Sequence, residues 1–319
     1  MSISVLIPTY KNVEYLAELF LSIEMNNFVH DYEVLIGIDN CEETLEYVLL
    51  NNFPKNFKII FFKENYGPYI IKNTLYKLSK YDKIFYFDSD DIMLPNLLSE
   101  IERLLNYYDC VKPKYLNFQD SPQGKVFEKK SNVFGEGVFG MKKKTFELMN
   151  GFEGWRVAAD SDFMGRYYKT NPNLIHTKEI LFYRRLHPKS LTVSPETNYS
   201  SPLRHRYYQL SKNKTHKDIK LKNIIIGQYE DVTDSTKIYS IDDQFKNENK
   251  IEEEIKKNKM KKLSLFFSER PKNVVNNTKI YKINYNQVNI FSSEKKSSNL
   301  KMAFNKAKLE NIKNNLQKR

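Results

Sequence analysis

The chain has 319 residues, is 40% hydrophobic and 14% aromatic, and carries 51 Lys and Arg against 39 Asp and Glu for a net charge of +12. That much apolar material excludes a disordered or fibrous chain and predicts one large domain with an appendage. No apolar run approaches the ~18–20 residues of a membrane span, and the first residues enter a strand pattern without a basic leader, so a cytoplasmic protein with no transmembrane span is expected.

Two cysteines, Cys41 and Cys110, provide neither a disulfide framework nor metal-ligand spacing. The charge is segregated. Residues 1–200 hold 24 Lys and Arg against 26 Asp and Glu, whereas residues 201–319 hold 27 against 13. A basic final third fits a polyanionic partner such as nucleic acid, anionic lipid or an acidic glycan; the alternative is a Lys-rich solvated surface with no partner.

In chain order, residues 2–7 (SISVLI) read as a buried strand ended by Pro8, and Val13, Leu16, Leu19, Phe20 and Ile23 then mark a helix. Residues 33–38 (EVLIGI) form a second strand ending at Asp39, 57–62 (FKIIFF) a third, and 83–87 (KIFYF) a fourth ending at Asp88. Helix-length segments, 42–50 and 69–78, lie between them. This alternation predicts parallel pairing through right-handed crossovers and a doubly wound sheet. Ligands bind at the carboxyl edge of such a sheet, and there Asp39 lines up with Asp88, Asp90 and Asp91. Carboxylates at i and i+2 suit a hard divalent ion such as Mg2+ or Mn2+, whose usual company is a diphosphate. The plainer reading is an acidic loop capping a helix that begins after Pro95.

The succession VLIPTYKNVEYL, VLIGIDN and ENYGPYIIKNTLYKLSKYDKIFYFDSDDIMLP resembles the nucleotide-sugar-binding half of family-2-like glycosyltransferases with the GT-A fold, over residues 3–98. The resemblance implies a GT-A (Rossmann-like) α/β catalytic domain over residues 1–200; after it, charge and residue spacing suggest a basic, mostly helical extension or small domain over 201–319. It implies that Pro8, Thr9, Tyr10 and Asp39 hold the base and ribose of a nucleotide, and that Asn65, Gly67, Lys72 and Asn73 match an N-x-G…R-N segment near it. Asp88, Ser89 and Asp90 match the D-x-D element that meets the ribose and the metal-bridged diphosphate. Asn40 stands where the family often has a second acid, and Lys72 replaces an arginine, which is not equivalent for bidentate contacts.

Residues 133–141 (VFGEGVFGM) read as a glycine-rich strand, with Gly135, Gly137 and Gly140 allowing a ligand near the backbone or marking a bulge, and a helix follows over 144–150. The resemblance continues through Gly151-Phe152 to an E-D-x-D motif, here Ala159-Asp160-Ser161-Asp162, so the first acid is missing. Inverting transfer needs one base for the acceptor hydroxyl and a cation for the departing diphosphate. Asp160 is the expected base. Asp162 is the second candidate, but a helix turns it about 200° away, so the two cannot share a role. Trp155, the only tryptophan, is either core or a platform for an acceptor.

Residues 181–192 (LFYRRLHPKSLT) carry an apolar strand into Arg184, Arg185 and His187. By resemblance to a closing Y-R-x-H motif, His187 completes a metal site with Asp88 and Asp90, and Arg184 or Arg185 faces phosphate. Beyond 200 the resemblance stops. Residues 201–222 interleave Arg204, His205 and Arg206 with Tyr207 and Tyr208. Further on, 251–267 and 297–316 have helical spacing and 279–291 alternates like a strand.

The expectation is a metal-dependent, inverting glycosyltransferase using a nucleotide-sugar, a UDP-sugar by preference, with Mn2+ or Mg2+. Its acceptor is either a cell-surface glycan or a hydroxymethylated base of phage-type DNA, the latter placing it in a host cytoplasm. Peripheral assembly on anionic lipid and a non-catalytic nucleotide-sugar- or nucleic-acid-binding protein of the same fold are the other readings.

Overall fold

The computed structural model describes residues 2–28, 30–49, 54–170, 172–220, 232–233 and 238–241. Its first half is a regular alternation: β1 (Ser2–Thr9), α1 (Val13–Glu24), β2 (Asp31–Asp39), α2 (Glu42–Leu49), β3 (Phe57–Phe62), α3 (Pro68–Leu78) and β4 (Lys83–Tyr86). There follow β5 (Ile92–Met93), α4 (Leu97–Leu104), a long hairpin of β6 (Cys110–Ser121) and β7 (Gly124–Asn132), then β8 (Phe139–Lys142), α5 (Lys143–Leu148), α6 (Ala159–Tyr168), β9 (Leu174–Arg185), α7 (Pro202–Lys220) and β10 (Ile238–Ile241).

The described strands join one sheet in the order β10-β3-β2-β1-β4-β8-β6-β9-β5, with β7 beside β6. The expected parallel block is present: β1 pairs in parallel with both β2 and β4, and β2 with β3. Past β4 the sheet is mixed, since β8 runs antiparallel to β4 and to β6 while β6 and β9 are parallel. The fold is α/β, with helices on both faces of the parallel block.

Both faces of the parallel block are covered, which is why its strands read as near-continuous apolar runs. On one face Ile3, Val5, Ile7, Val34, Ile36 and Ile38 pack with Leu16, Leu19 and Phe20 of α1, Leu45 of α2 and Leu97, Leu98 and Ile101 of α4. On the other, Leu6, Leu35, Ile60, Ile84 and Tyr86 pack with Ile71 and Leu75 of α3, Phe146 of α5 and Phe163 and Met164 of α6. Each such side chain, fully buried, contributes roughly 1.5–3 kcal/mol. Gly37 lets α3 approach β2, for a Cβ there would meet Ile71 Cγ2 at 2.4 Å.

Several boundaries differ from expectation for local reasons. Pro8 does not end β1; it remains in register with Gly37. Successive residues of a strand turn their polar groups to alternate sides. The Leu6 carbonyl accepts from Phe87 N on the β4 side, so the N–H that Pro8 lacks would point there too, beyond the last β1–β4 pair at Leu6 and Tyr86. Only 139–142 of the glycine-rich stretch is strand, and 133–138 is a connecting segment beside the site. The hairpin of β6 and β7 was not foreseen, nor was the two-residue β5. Within the basic and aromatic stretch read at 201–222, residues 202–220 form helix α7, and β10 adds an antiparallel edge to β3. The helices expected at 251–267 and 297–316 and the strand at 279–291 lie outside the described residues.

Candidate active site

The carboxyl ends of β1, β2 and β4 open onto one edge, and the chain delivers its polar residues there. β1 ends at Pro8 and Thr9, the latter buried with its Oγ1 lacking a partner among the described residues, and Tyr10 is 42% exposed beyond it. The turn continues through Lys11 at φ 54° to Asn12, whose Nδ2 donates to Ser89 Oγ at 2.9 Å, tying the β1 turn to the acidic turn.

Asp39 ends β2, but its carboxylate is committed to the chain. Its oxygens accept from Asn65 Nδ2 at 3.0 Å, Tyr66 N at 2.7 Å and Gly67 N at 2.9 Å. Burial raises its pKa, and the Tyr66 and Gly67 N–H groups and Arg156 oppose the rise. The geometry shows Asp39 holding the 65–67 turn that starts α3. Asn40 follows with φ 47°, a left-handed conformation that Asn tolerates far better than most residues, and this explains the departure from an acid there. Arg156 closes the turn from outside, donating to the Asn65 carbonyl at 2.9 Å and to its Oδ1.

α3 begins at Gly67, φ 85°, and Pro68, and presents Tyr69 and Lys72 from its first turns. Three residues apart, these share a helix face. Lys72 is buried; its Nζ donates to Asp88 Oδ1 at 2.9 Å and to the Gly137 carbonyl at 3.0 Å. One residue further, Asn73 exchanges two 2.9 Å hydrogen bonds with the backbone of Phe152, locking α3 to the segment before α6.

The acidic turn splits its three carboxylates among three environments. Lost hydration raises the pKa of Asp88, Lys72 opposes and Asp90 and Asp160 add to the rise, although 40% of the side chain still meets solvent. Asp90 Oδ2 lies 2.8 Å from His187 Nε2. His187 is buried, packs its ring 4.7 Å from that of Tyr15, and leaves Nδ1 without a partner among the described residues. Asp91 is buried and accepts from Arg185 N at 2.9 Å; burial, Asp90 and Asp88 push its pKa well up against Arg184.

The two arginines that end β9 part company. Arg184 donates to Thr192 Oγ1 at 2.9 Å, and the charges of Asp91 and Asp88 raise its pKa against the effect of burial. Arg185 is 2% exposed and ion-paired with Glu18 and Asp120, with Nε donating to the Asp90 carbonyl at 2.8 Å. Its planar fork is therefore used up inside the protein, which leaves it no free donors for a phosphate.

Asp160 and Asp162 separate as helix geometry requires. Asp160 Oδ1 accepts from Tyr69 Oη at 2.8 Å and from Ser161 N at 2.9 Å. Asp162 is buried against Arg166, which donates to its Oδ2 at 2.8 Å and to the Met149 and Gly151 carbonyls at 2.6 and 2.7 Å. Asp162 thus anchors α6 and is withdrawn as a catalytic candidate. Trp155 stacks on Tyr207 of α7, ring centroids 4.9 Å apart at 15°, so the platform it offers is already occupied by the chain.

Two features here, Tyr69 and Glu136, were not read from the sequence, whereas Gly137 was read there as a place where a ligand could approach the backbone. Tyr69 touches the expected base, and its i, i+3 spacing from Lys72 was the available signal. Glu136 pairs with the buried Lys112, and its pKa is raised by burial with Asp160 adding to the rise. Gly137 is ringed by charge: a Cβ there would stand 3.4 Å from Asp160 Oδ2, 3.5 Å from Asp88 Oδ2 and 3.7 Å from Lys72 Nζ.

Among the described residues no group of three or more metal-ligating side chains is assembled, and no helix is long and apolar enough to cross a membrane. The donors nevertheless fit a divalent cation in part. Asp90 and His187 meet at 2.8 Å, with Nδ1 orphaned among the described residues, and the charges of Asp90 and Asp88 add to the raised pKa of Asp91, a crowding that a bound cation would relieve.

No relative is detected among curated proteins. Solved structures share the fold. TarS residues 1–349 from S. aureus in complex with UDP-GlcNAc is 18% identical with a TM-score of 0.56, covering 72% of this chain and 68% of that one. The mannosyltransferase PcManGT from Pyrobaculum calidifontis, in complex with GDP-Man and Mn2+, is 13% identical with a TM-score of 0.51, covering 68% of this chain and 64% of that one. The chain spans 60% of another structure of TarS 1–349. In sequence, the profile of Glycosyl transferase family 2 matches residues 4–167, from the first strand through the helix that carries Asp160, and the chain belongs to that family.

Proposed function

We propose that the protein transfers a sugar from a nucleotide-sugar to an acceptor hydroxyl with inversion, using Mn2+ or Mg2+. The observation that carries this reading is the convergence of Asp88, Lys72 and Asp160 around Gly137, beside the Asp90–His187 pair, at the carboxyl edge of the sheet. The nucleotide lies along the turns at 8–10, 65–67 and 88–90, with Asn12 and Ser89 joining two of them and Asp39 shaping the third. Asp90 and His187, with Asp88 nearby, would hold the cation, which when bound stabilises charge on the departing diphosphate. Arg184, whose pKa the charges of Asp91 and Asp88 raise, would face the same developing charge.

Asp160 takes the proton of the attacking hydroxyl. The acceptor oxygen bonds to the anomeric carbon as the bond from that carbon to the diphosphate breaks, and the electron pair leaves with the nucleoside diphosphate. Support for a UDP or GDP donor comes from the ligands named for TarS and PcManGT. For the acceptor, 27 Lys and Arg against 13 Asp and Glu in residues 201–319 favour a polyanion, and hydroxymethylated DNA and an anionic glycan share that chemistry.

The test is release of nucleoside diphosphate from UDP-GlcNAc, UDP-glucose and GDP-mannose, with Mn2+ and with chelator, with and without each acceptor class. Metal-dependent release accelerated by one acceptor is expected. Absence of both nucleotide binding and turnover would leave a family member without the activity and overturn the proposal.

A further inference from the structure

The two oxygens of Asp160 have different surroundings. Oδ1 accepts two hydrogen bonds, from Tyr69 Oη at 2.8 Å and from Ser161 N at 2.9 Å. Oδ2 faces the place that a Cβ at Gly137 would occupy, 3.4 Å from it, with Asp88 Oδ2 and Lys72 Nζ around the same point, so the missing side chain leaves a slot there. Tyr69 is 7% exposed and is held by packing against Phe152, ring centroids 5.4 Å apart. Its position on the first turn of α3 is fixed in turn by the Gly67 and Pro68 start that Asp39 secures.

We propose that Tyr69 is the positioning residue of the catalytic base: by donating to Oδ1 it aims Oδ2 of Asp160 into the slot over Gly137, and that slot receives the acceptor hydroxyl. The inference rests on the transferase reading above and names the atoms of its proton transfer. Burial and the neighbouring Asp160 charge push the Tyr69 pKa well above its ordinary value, so the phenol keeps its proton and serves as a donor throughout. The acceptor proton passes to Oδ2, the only oxygen of Asp160 that no described residue occupies. Glycine is required at 137 because any side chain would stand in the slot. Lys72 fixes the backbone there through the Gly137 carbonyl and one wall of the slot through Asp88.

The experiment compares wild type with Tyr69→Phe and Gly137→Ala, using Mn2+-dependent hydrolysis of UDP-GlcNAc, UDP-glucose and GDP-mannose, where water takes the acceptor's place. UDP and GDP affinities and thermal midpoints are read alongside. Tyr69→Phe is expected to lower kcat about 10- to 100-fold with donor KM and nucleotide affinity within about twofold of wild type. Gly137→Ala puts its methyl at ordinary contact distance, 3.4 Å from Asp160 Oδ2, so it should fold; it is expected to lower kcat comparably with nucleotide affinity retained. Undiminished kcat in either variant, or a loss in Tyr69→Phe that lies wholly in nucleotide affinity, overturns the inference. If wild type turns over a donor and the variants match it, this inference alone fails; if wild type binds and turns over none, the transferase reading fails with it.

Discussion

Asp160 and Asp162 stand two residues apart in the first turn of α6, one beside a polar slot and the other sealed against Arg166. Their spacing told in advance that they could not share a role. Which of them faced the slot was not legible, because that depends on the carbonyls of Met149 and Gly151 that collect the Arg166 guanidinium from another part of the chain. Arg184 and Arg185 pose the same problem, since Glu18 and Asp120 come from distant elements. Two substitutions separate the acids. Asp160→Asn should keep nucleotide affinity and lose at least about 100-fold in turnover, measured as diphosphate release. Asp162→Asn should leave Arg166 buried without its counter-charge and lower stability by about 3 kcal/mol in a urea titration, while the folded fraction keeps its turnover. A stable but inactive Asp162→Asn would return that residue to the chemistry.

At the scale of elements, the parallel block was legible because both of its faces are covered, and four apolar runs each followed by a turn and a helical spacing admit few other readings. The hairpin was not, since β7 has no buried residue and its sequence, GKVFEKKSN, reads as solvated loop, while β5 exists only through its two pairs with β9. Strand geometry also puts Glu33 in a buried place. Burial raises its pKa, but Lys58, the Lys80 N–H and the Ser4 hydroxyl outweigh it and hold the carboxyl below its ordinary value. A lowered folded pKa means stability that is present above the unfolded pKa of about 4.5 and lost as pH falls through the folded value. The wild type should therefore lose its thermal-midpoint advantage over Glu33→Gln between about pH 5 and 3; an advantage constant over that range would contradict the assignment. At the start of α6, Ala158 sits at φ 64°, where an L-residue is strained by roughly 1–2 kcal/mol, so Ala158→Gly should raise stability by about 1 kcal/mol if the loop keeps its path.

The whole molecule divides by charge where the family resemblance ends. Residues 1–200 are close to neutral and include the site, while the positive excess lies after 200, where α7 already packs on α6 and stacks Tyr207 on Trp155. If that charge serves a polyanionic acceptor, binding of the full chain to duplex DNA should weaken by at least about tenfold between 50 and 200 mM salt. Binding to anionic liposomes in preference to DNA would point to a lipid surface, and absence of both would return the lysines to plain solvation. The central claim, however, lies at the sheet edge, where Asp90 and His187 are read as cation ligands beside the diphosphate. Calorimetric titration of UDP and GDP, with and without Mn2+, into wild type and Asp90→Ala tests it most directly. The account predicts nucleotide binding that Mn2+ strengthens in wild type and does not strengthen in Asp90→Ala; equal binding with and without the ion, or an undiminished metal effect in the variant, would contradict it.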